Sequence, residues 1–195
     1  TLELRTVDPF SNVVPDIDYR IDGGRQIGTE SGTGIPVYEF GEDASTDTSG
    51  EKDYTNRSYG SYTWTLDPAE ANYTFIGLSP ESASGENLFT VLPNVTQQMQ
   101  MVVADETVNG ALFTVTSSAD GTPVAGATVQ LTNTTLLYDE TVTASAYGKS
   151  YFPETETPGL AAETYDYEVT AAGFTTATGT VVISAGLESV SVSMN

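Results

Sequence analysis

The chain contains no cysteine and no histidine, and only 6 of its 195 residues are Lys or Arg. Each absence removes a class of chemistry. Without cysteine there is no disulfide, thiol nucleophile or thiolate metal site. Without histidine there is no Ser-His or Cys-His pair and no imidazole ligand. Against 27 Asp and Glu the basic residues leave a net charge of −21, which repels nucleic acid phosphates and anionic lipid. No apolar run approaches the ~20 residues that span a bilayer, and no secretory signal with a basic n-region is present. The chain opens at Thr1 and is expected to be a processed or excised piece. Carboxylate chemistry, hard-cation binding by oxygen, and functions that need no reactive group remain.

The acidity is evenly spread. Residues 1–104 hold 16 acids and 5 bases, and residues 105–195 hold 11 acids and 1 base. The charge therefore belongs to the whole surface rather than to a tail. With 38% hydrophobic and 10% aromatic residues, folded cores are expected rather than disorder.

Period-2 patterns dominate. Leu2 and Leu4 alternate with Glu3 and Arg5, and Tyr62, Trp64 and Leu66 with Thr63 and Thr65. Met99, Met101 and Val103 follow the same rule, as do Ala127, Val129 and Leu131. So do Tyr165, Tyr167 and Val169, and Val190, Val192 and Met194. One apolar and one polar face per segment is the mark of a half-buried antiparallel strand. Turn clusters punctuate the runs at Asp22-Gly23-Gly24, Thr48-Ser49-Gly50, Ala119-Asp120-Gly121 and Ala185-Gly186. Cores are expected around Tyr62, Trp64, Leu66, Val129, Leu131, Tyr167 and Val169.

The pattern also repeats at roughly 100 residues. Leu2–Val7 corresponds to Ala111–Thr116. The turn Thr48-Ser49-Gly50-Glu51-Lys52 corresponds to Ala146-Tyr147-Gly148-Lys149-Ser150. A Tyr-initiated strand follows at Tyr62 and at Tyr165, and Asn72-Tyr73 aligns with Gly173-Phe174. The expected fold class is all-β, as two tandem immunoglobulin-like/transthyretin-like antiparallel β-sandwiches. The first is expected over 1–106, with an insertion at 22–42, and the second over 107–195.

At these residues the sequence resembles the carboxypeptidase regulatory-like family. The stretch 121–132, GTPVAGATVQLT, is similar to its opening hairpin. Gly148 and Phe152 are similar to the end of its T-x-x-x-G-x-x-x-F segment, with Ala144 where the Thr would stand. Residues 165–174, YDYEVTAAGF, resemble its strand-and-turn segment. The insertion and the tandem spacing resemble the ectodomains of prepilin-type surface proteins, although their N-terminal hydrophobic helix is not in this sequence. The resemblance implies an extracellular or cell-surface, non-catalytic spacer or adhesive module, with no catalytic residue to carry over and no cofactor.

Several motifs invite a sharper reading. Asp16 and Asp18 share a strand face, but one expected to meet solvent rather than the opposed carboxyl pair of a glycosidase. Asp47-Thr48-Ser49-Gly50 departs from an Asp-Thr-Gly motif at Ser49. Asp43, Ser45, Asp47, Glu51 and Asp53 offer oxygens at mostly alternate positions, so Asp43, Asp47, Glu51 and Asp53 are the calcium candidates. Thr48 occupies the place where an EF-hand loop needs glycine. Gly32-Thr33-Gly34 is a loop tip rather than a nucleotide loop, because Val37 stands where a third glycine belongs. Tyr38, Phe40, Tyr54 and Tyr59, in or beside the 22–42 insertion, are the candidate contacts for host or cell-surface glycans. Four Asn-x-Ser/Thr sequons start at Asn56, Asn72, Asn94 and Asn133. Neither expected first strand carries the lysine that an intramolecular isopeptide crosslink requires. The strand-like ends Leu2–Val7 and Val190–Met194 make other copies of the chain, or surface-filament subunits, the expected partners through strand edges.

Overall fold

The computed structural model describes residues 1–82, 85–154 and 159–195. The chain divides into two compact units, Thr1–Ala104 and Asp105–Asn195. All regular structure is β, in four sheets that form two sandwiches. Among the described residues no helix is long and apolar enough to cross a membrane.

The first unit contains β1 (Leu2–Val7), β2 (Asp18–Thr29), β3 (Pro36–Ser45), β4 (Glu51–Tyr54), β5 (Gly60–Leu66), β6 (Tyr73–Ser79), β7 (Leu88–Val91) and β8 (Gln97–Asp105). Its sheets are ordered β4-β1-β8-β6 and β3-β2-β5-β7. The second contains β9 (Gly110–Ser117), β10 (Thr128–Asn133), β11 (Tyr138–Thr143), β12 (Lys149–Pro153), β13 (Thr164–Thr170), β14 (Ala177–Val182) and β15 (Leu187–Met194). Its sheets are ordered β12-β9-β15 and β11-β10-β13-β14.

The period-2 segments become strands because each can bury one face. In the first unit Leu2, Leu4, Tyr19, Ile21, Tyr62, Trp64, Met99 and Met101 meet in one core. Tyr19 and Trp64 pack edge to face at 5.5 Å, an arrangement that aligns the ring quadrupoles. The second core gathers Phe113, Val115, Val129, Leu131, Phe152, Tyr165 and Val169. Leu66 lies at the margin of the first core and Tyr167 at the margin of the second, both half-buried. Tyr167 still packs on Phe113 at 5.3 Å.

One pairing in each unit departs from the antiparallel plan. β1 runs parallel to β8 over Leu2↔Gln97 to Val7↔Val102. β9 runs parallel to β15 over Gly110↔Leu187 to Ser117↔Met194. The other registered strand pairs are antiparallel.

The insertion at 22–42 is the distal part of one long β2–β3 hairpin, with its tip at residues 30–35. Asp22-Gly23-Gly24 therefore lies inside β2 rather than at a turn. The Tyr62 ring passes so close to Gly23 that a Cβ there would sit 2.3 Å from it, and Gly24 takes φ +77°. The ladder shifts register just beyond, between Gly23 and Gln26. The two glycines mark a β-bulge. A second difference between the units is β6, which pairs with β8 and has no counterpart among the described residues of the second unit. Tyr73 opens this extra strand, whereas Phe174 sits in the turn between β13 and β14, so the two are not equivalent.

Trp64 is fully buried, so Trp64→Ala leaves a cavity as well as losing transfer energy. The first unit is expected to lose about 3–5 kcal/mol, read as a fall in its Tm. An unchanged Tm would remove Trp64 from the core.

Candidate functional site

The same turn is built twice. In the first unit Thr6 N–H donates to Gly50 O at 2.9 Å and Val14 N–H to Thr6 O at 3.0 Å. In the second, Val115 N–H donates to Gly148 O at 2.8 Å and Val124 N–H to Val115 O at 2.9 Å. Asp47 N–H donates to Glu51 O as Ser145 N–H donates to Lys149 O. Superposing these bonds makes Asp47 the counterpart of Ser145. Asp47 Oδ1 accepts from Ser49 N–H (2.8 Å) and Glu51 N–H (3.0 Å). Ser145 Oγ accepts from Tyr147 N–H and Lys149 N–H at the corresponding places. The Asp47 carboxylate caps a turn that a hydroxyl caps equally well in the other copy.

The remaining calcium candidates are dispersed. Asp43 projects from β3 and holds Arg20 at 2.8 Å, which also grips Asp22 at 2.7 Å. These two carboxylates push the Arg20 guanidinium above its usual range. Glu51 and Asp53 stand on β4, opposite Arg5 and Glu3 of β1. Glu51 approaches Arg5 at 3.8 Å, and Glu3 accepts from Gln98 Nε2 at 2.7 Å. Among the described residues no group of three or more acids converges on a point where a cation could sit.

The four candidate aromatics do not form one surface either. Tyr54 is turned inward, 3% exposed, with its hydroxyl 3.0 Å from that of Tyr19. It shares a strand face with Lys52, whose ladder partner is the core residue Leu4. Burial, and then the bond to Tyr54, push the Tyr19 phenol far above its usual range. Phe40 is half-buried and covered by the Arg57 guanidinium, 4.0 Å above its ring and 5.2 Å from that of Tyr54. Tyr38 is half-buried on β3. Tyr59 alone stands free, 71% exposed. It borders an open groove of about 550 Å³ whose walls include Asn56, Arg57, Leu92 and Val95. The groove joins loops far apart in sequence, so no local pattern announces it. Beyond it the distal hairpin exposes Ile27, Ile35 and Val37.

Of the sequons, Asn56 and Asn94 both hold a left-handed backbone, at φ 55° and 58°. The Asn133 amide is engaged on both sides, accepting from Leu136 N–H and donating to Thr164 O, each at 2.9 Å.

No family model matches the chain, and no curated protein matches it in sequence. Similarity to solved structures is distant. The Bacillus anthracis TIE protein superposes with a TM-score of 0.39 at 16% identity, covering 98% of this chain and 32% of that one. The streptococcal ancillary pilin gives 0.40 at 14% identity, covering all of this chain and 62% of that one. The minor pilin of Streptococcus agalactiae gives 0.37 at 12% identity, with 100% and 95% covered. The chain thus spans about a third of the first and less than two thirds of the second. Values this low leave its role to be argued from its own geometry.

Asp47→Ser is expected to leave the first unit's Tm nearly unchanged, because Ser145 does the same work in the second. Asp47→Ala is expected to cost about 1 kcal/mol, the worth of a lost turn hydrogen bond. A calcium-dependent rise in Tm abolished by Asp47→Ser would show a cation site instead.

Proposed function

We propose that the chain is a non-enzymatic structural module of an extracellular or cell-surface filament, one that carries tension along each unit. The observation behind this reading is the parallel pairing of the first and last strands, β1 with β8 and β9 with β15. Pulling a unit by its two ends draws parallel neighbours past each other along their own axes. Every ladder hydrogen bond between them is then loaded together, in shear. An antiparallel pair with the same end points would be opened one bond at a time. Six registered pairs do this in the first unit and eight in the second.

Other features agree. The acids are spread over both units and solvate them. The resemblance of residues 121–132 and 165–174 to carboxypeptidase regulatory-like domains belongs to the same reading, as does the expected partnership with filament subunits.

A second reading is surface or glycan contact. It is favoured by the exposed Tyr59 ring beside its groove and by the exposed apolar residues of the distal hairpin. Glycan-array binding lost in Tyr59→Ala would support it, and an array blank for the parent chain would end it.

The tension reading is tested by single-molecule pulling. Because the chain lacks cysteine, introduced cysteines are unique handles. In the second unit, handles at Thr107 and Ser193 load β9 against β15 in shear. Handles at Thr107 and Ser184 pull the same two strands from their leading ends and peel them. The shear geometry is expected to unfold at a clearly higher force. Equal forces would overturn the reading.

A further inference from the structure

The second sandwich guards the edges on its two sides unequally. On one side of the second unit the edge strands are β11 and β12. β11 carries Asp139 and Glu140. β12 has five residues, beginning with Lys149 and ending with Pro153. Short length, charge and proline are devices that stop a sheet from adding strands. On the other side the edges are β14 and β15. β14, ATGTVV, has no charge. β15, LESVSVSM, has eight residues, no register shift against β9, no proline, and no charge after Glu188. The first unit shows what belongs there: β8, which occupies the place of β15, is covered along its outer side by β6. Among the described residues no strand takes that position beside β15.

We infer that the open edge of β15 is an interface for a second copy of this chain, paired antiparallel with its own β15 about a two-fold axis. The strand is self-complementary for this. Ser189, Ser191 and Ser193 are exposed on one face, while Val192 and Met194 are buried on the other. An antiparallel pairing centred on Ser191 opposes Ser189 to Ser193 and Val190 to Val192, so both faces continue across the join. It also uses the full strand, from Glu188 opposite Met194 onward. The result is one six-stranded sheet running through two molecules. Edge pairing alone buries little area, so the complex is weak in free solution. It gains where copies are held side by side at high effective concentration. The interface does not depend on the load-bearing reading, and each can fail without the other.

Sedimentation of the 195-residue chain tests it. A concentration-dependent dimer is expected that strengthens as salt rises from roughly 0.01 to 0.15 M, where the Debye length falls from about 30 to about 8 Å and the repulsion between acidic coats is screened. Ser189→Lys with Ser193→Lys sets like charges opposite each other twice and should weaken the dimer several-fold. Ser189→Lys with Ser193→Glu sets opposite charges across both pairs and should tighten it several-fold. Thr141→Lys with Thr143→Lys, exposed on the guarded strand β11, changes net charge as much as the first pair does. It should therefore not weaken the dimer. All four positions of substitution are exposed, and an unchanged Tm confirms folding in each variant. A chain monomeric at every salt and concentration overturns the proposal. So does a dimer indifferent to both Ser189/Ser193 pairs.

Discussion

Each unit depends on the contact between its first strand and its last. β1 cannot be held by β4 alone, which offers four residues. β8 supplies its other side, and with it the floor of the core, since Met99, Met101 and Val103 all point inward. The same holds for β9 between β12 and β15. This pairing spans almost the full length of each unit in sequence, so it forms at high loop-closure cost. Everything between must bring the ends together, and the repeated turn does so. At that turn Gly50 and Gly148 take φ +67° and +72°. A Cβ on Gly148 would stand 2.3 Å from Val115 O. The carbonyl approach that anchors the first strand thus leaves room only for glycine.

The two units solve one problem with different chemistry. In the first, the anchor position is Thr6, whose hydroxyl is buried and meets Thr46 Oγ1 at 3.0 Å. Thr46 in turn accepts from Ile17 N–H. The corresponding residues of the second unit are Val115 and Ala144, both buried and apolar. A buried hydroxyl pair is tolerable because every polar atom has a partner, and its apolar replacement is tolerable because none is left over. Identical backbone bonds with interchangeable side chains indicate that the backbone geometry is the conserved requirement of this fold within the chain.

Much of this was legible in the sequence. Alternation marks strands because one face must be dry, and β1, β5, β10, β13 and β15 fall where it places them. The turn at Gly50 and Gly148 was visible as a repeat for the reason just given. Strand direction was not, because alternation is the same whichever way a neighbour runs. Asp22-Gly23-Gly24 has the composition of a turn, and only the approach of Tyr62 from another strand makes it a bulge. Tyr54 looked like part of a loop surface, yet pairing with Leu2 turns it into the core. The calcium candidates show a related effect. These acids were close in sequence, but a strand, a turn and another strand send them to different partners.

The extra strand β6 joins these points. It lengthens the first unit's sheet by pairing with the side of β8 that faces away from β1, and it covers an edge that, among the described residues, the second unit leaves open. Edges are guarded where a wrong partner would be harmful. The second unit places Asp139, Glu140, Lys149 and Pro153 on one side and serine and valine on the other. General solubility does not explain that contrast, since a charge on β15 beyond Glu188 would have served it. The acidic coat already keeps molecules apart over distances of a Debye length. A neutral edge within that coat matters only at contact, after screening or crowding has brought two surfaces together. The even charge of the two units and the uneven guarding of their edges therefore act at different ranges. The first sets whether copies approach, and the second sets where they meet.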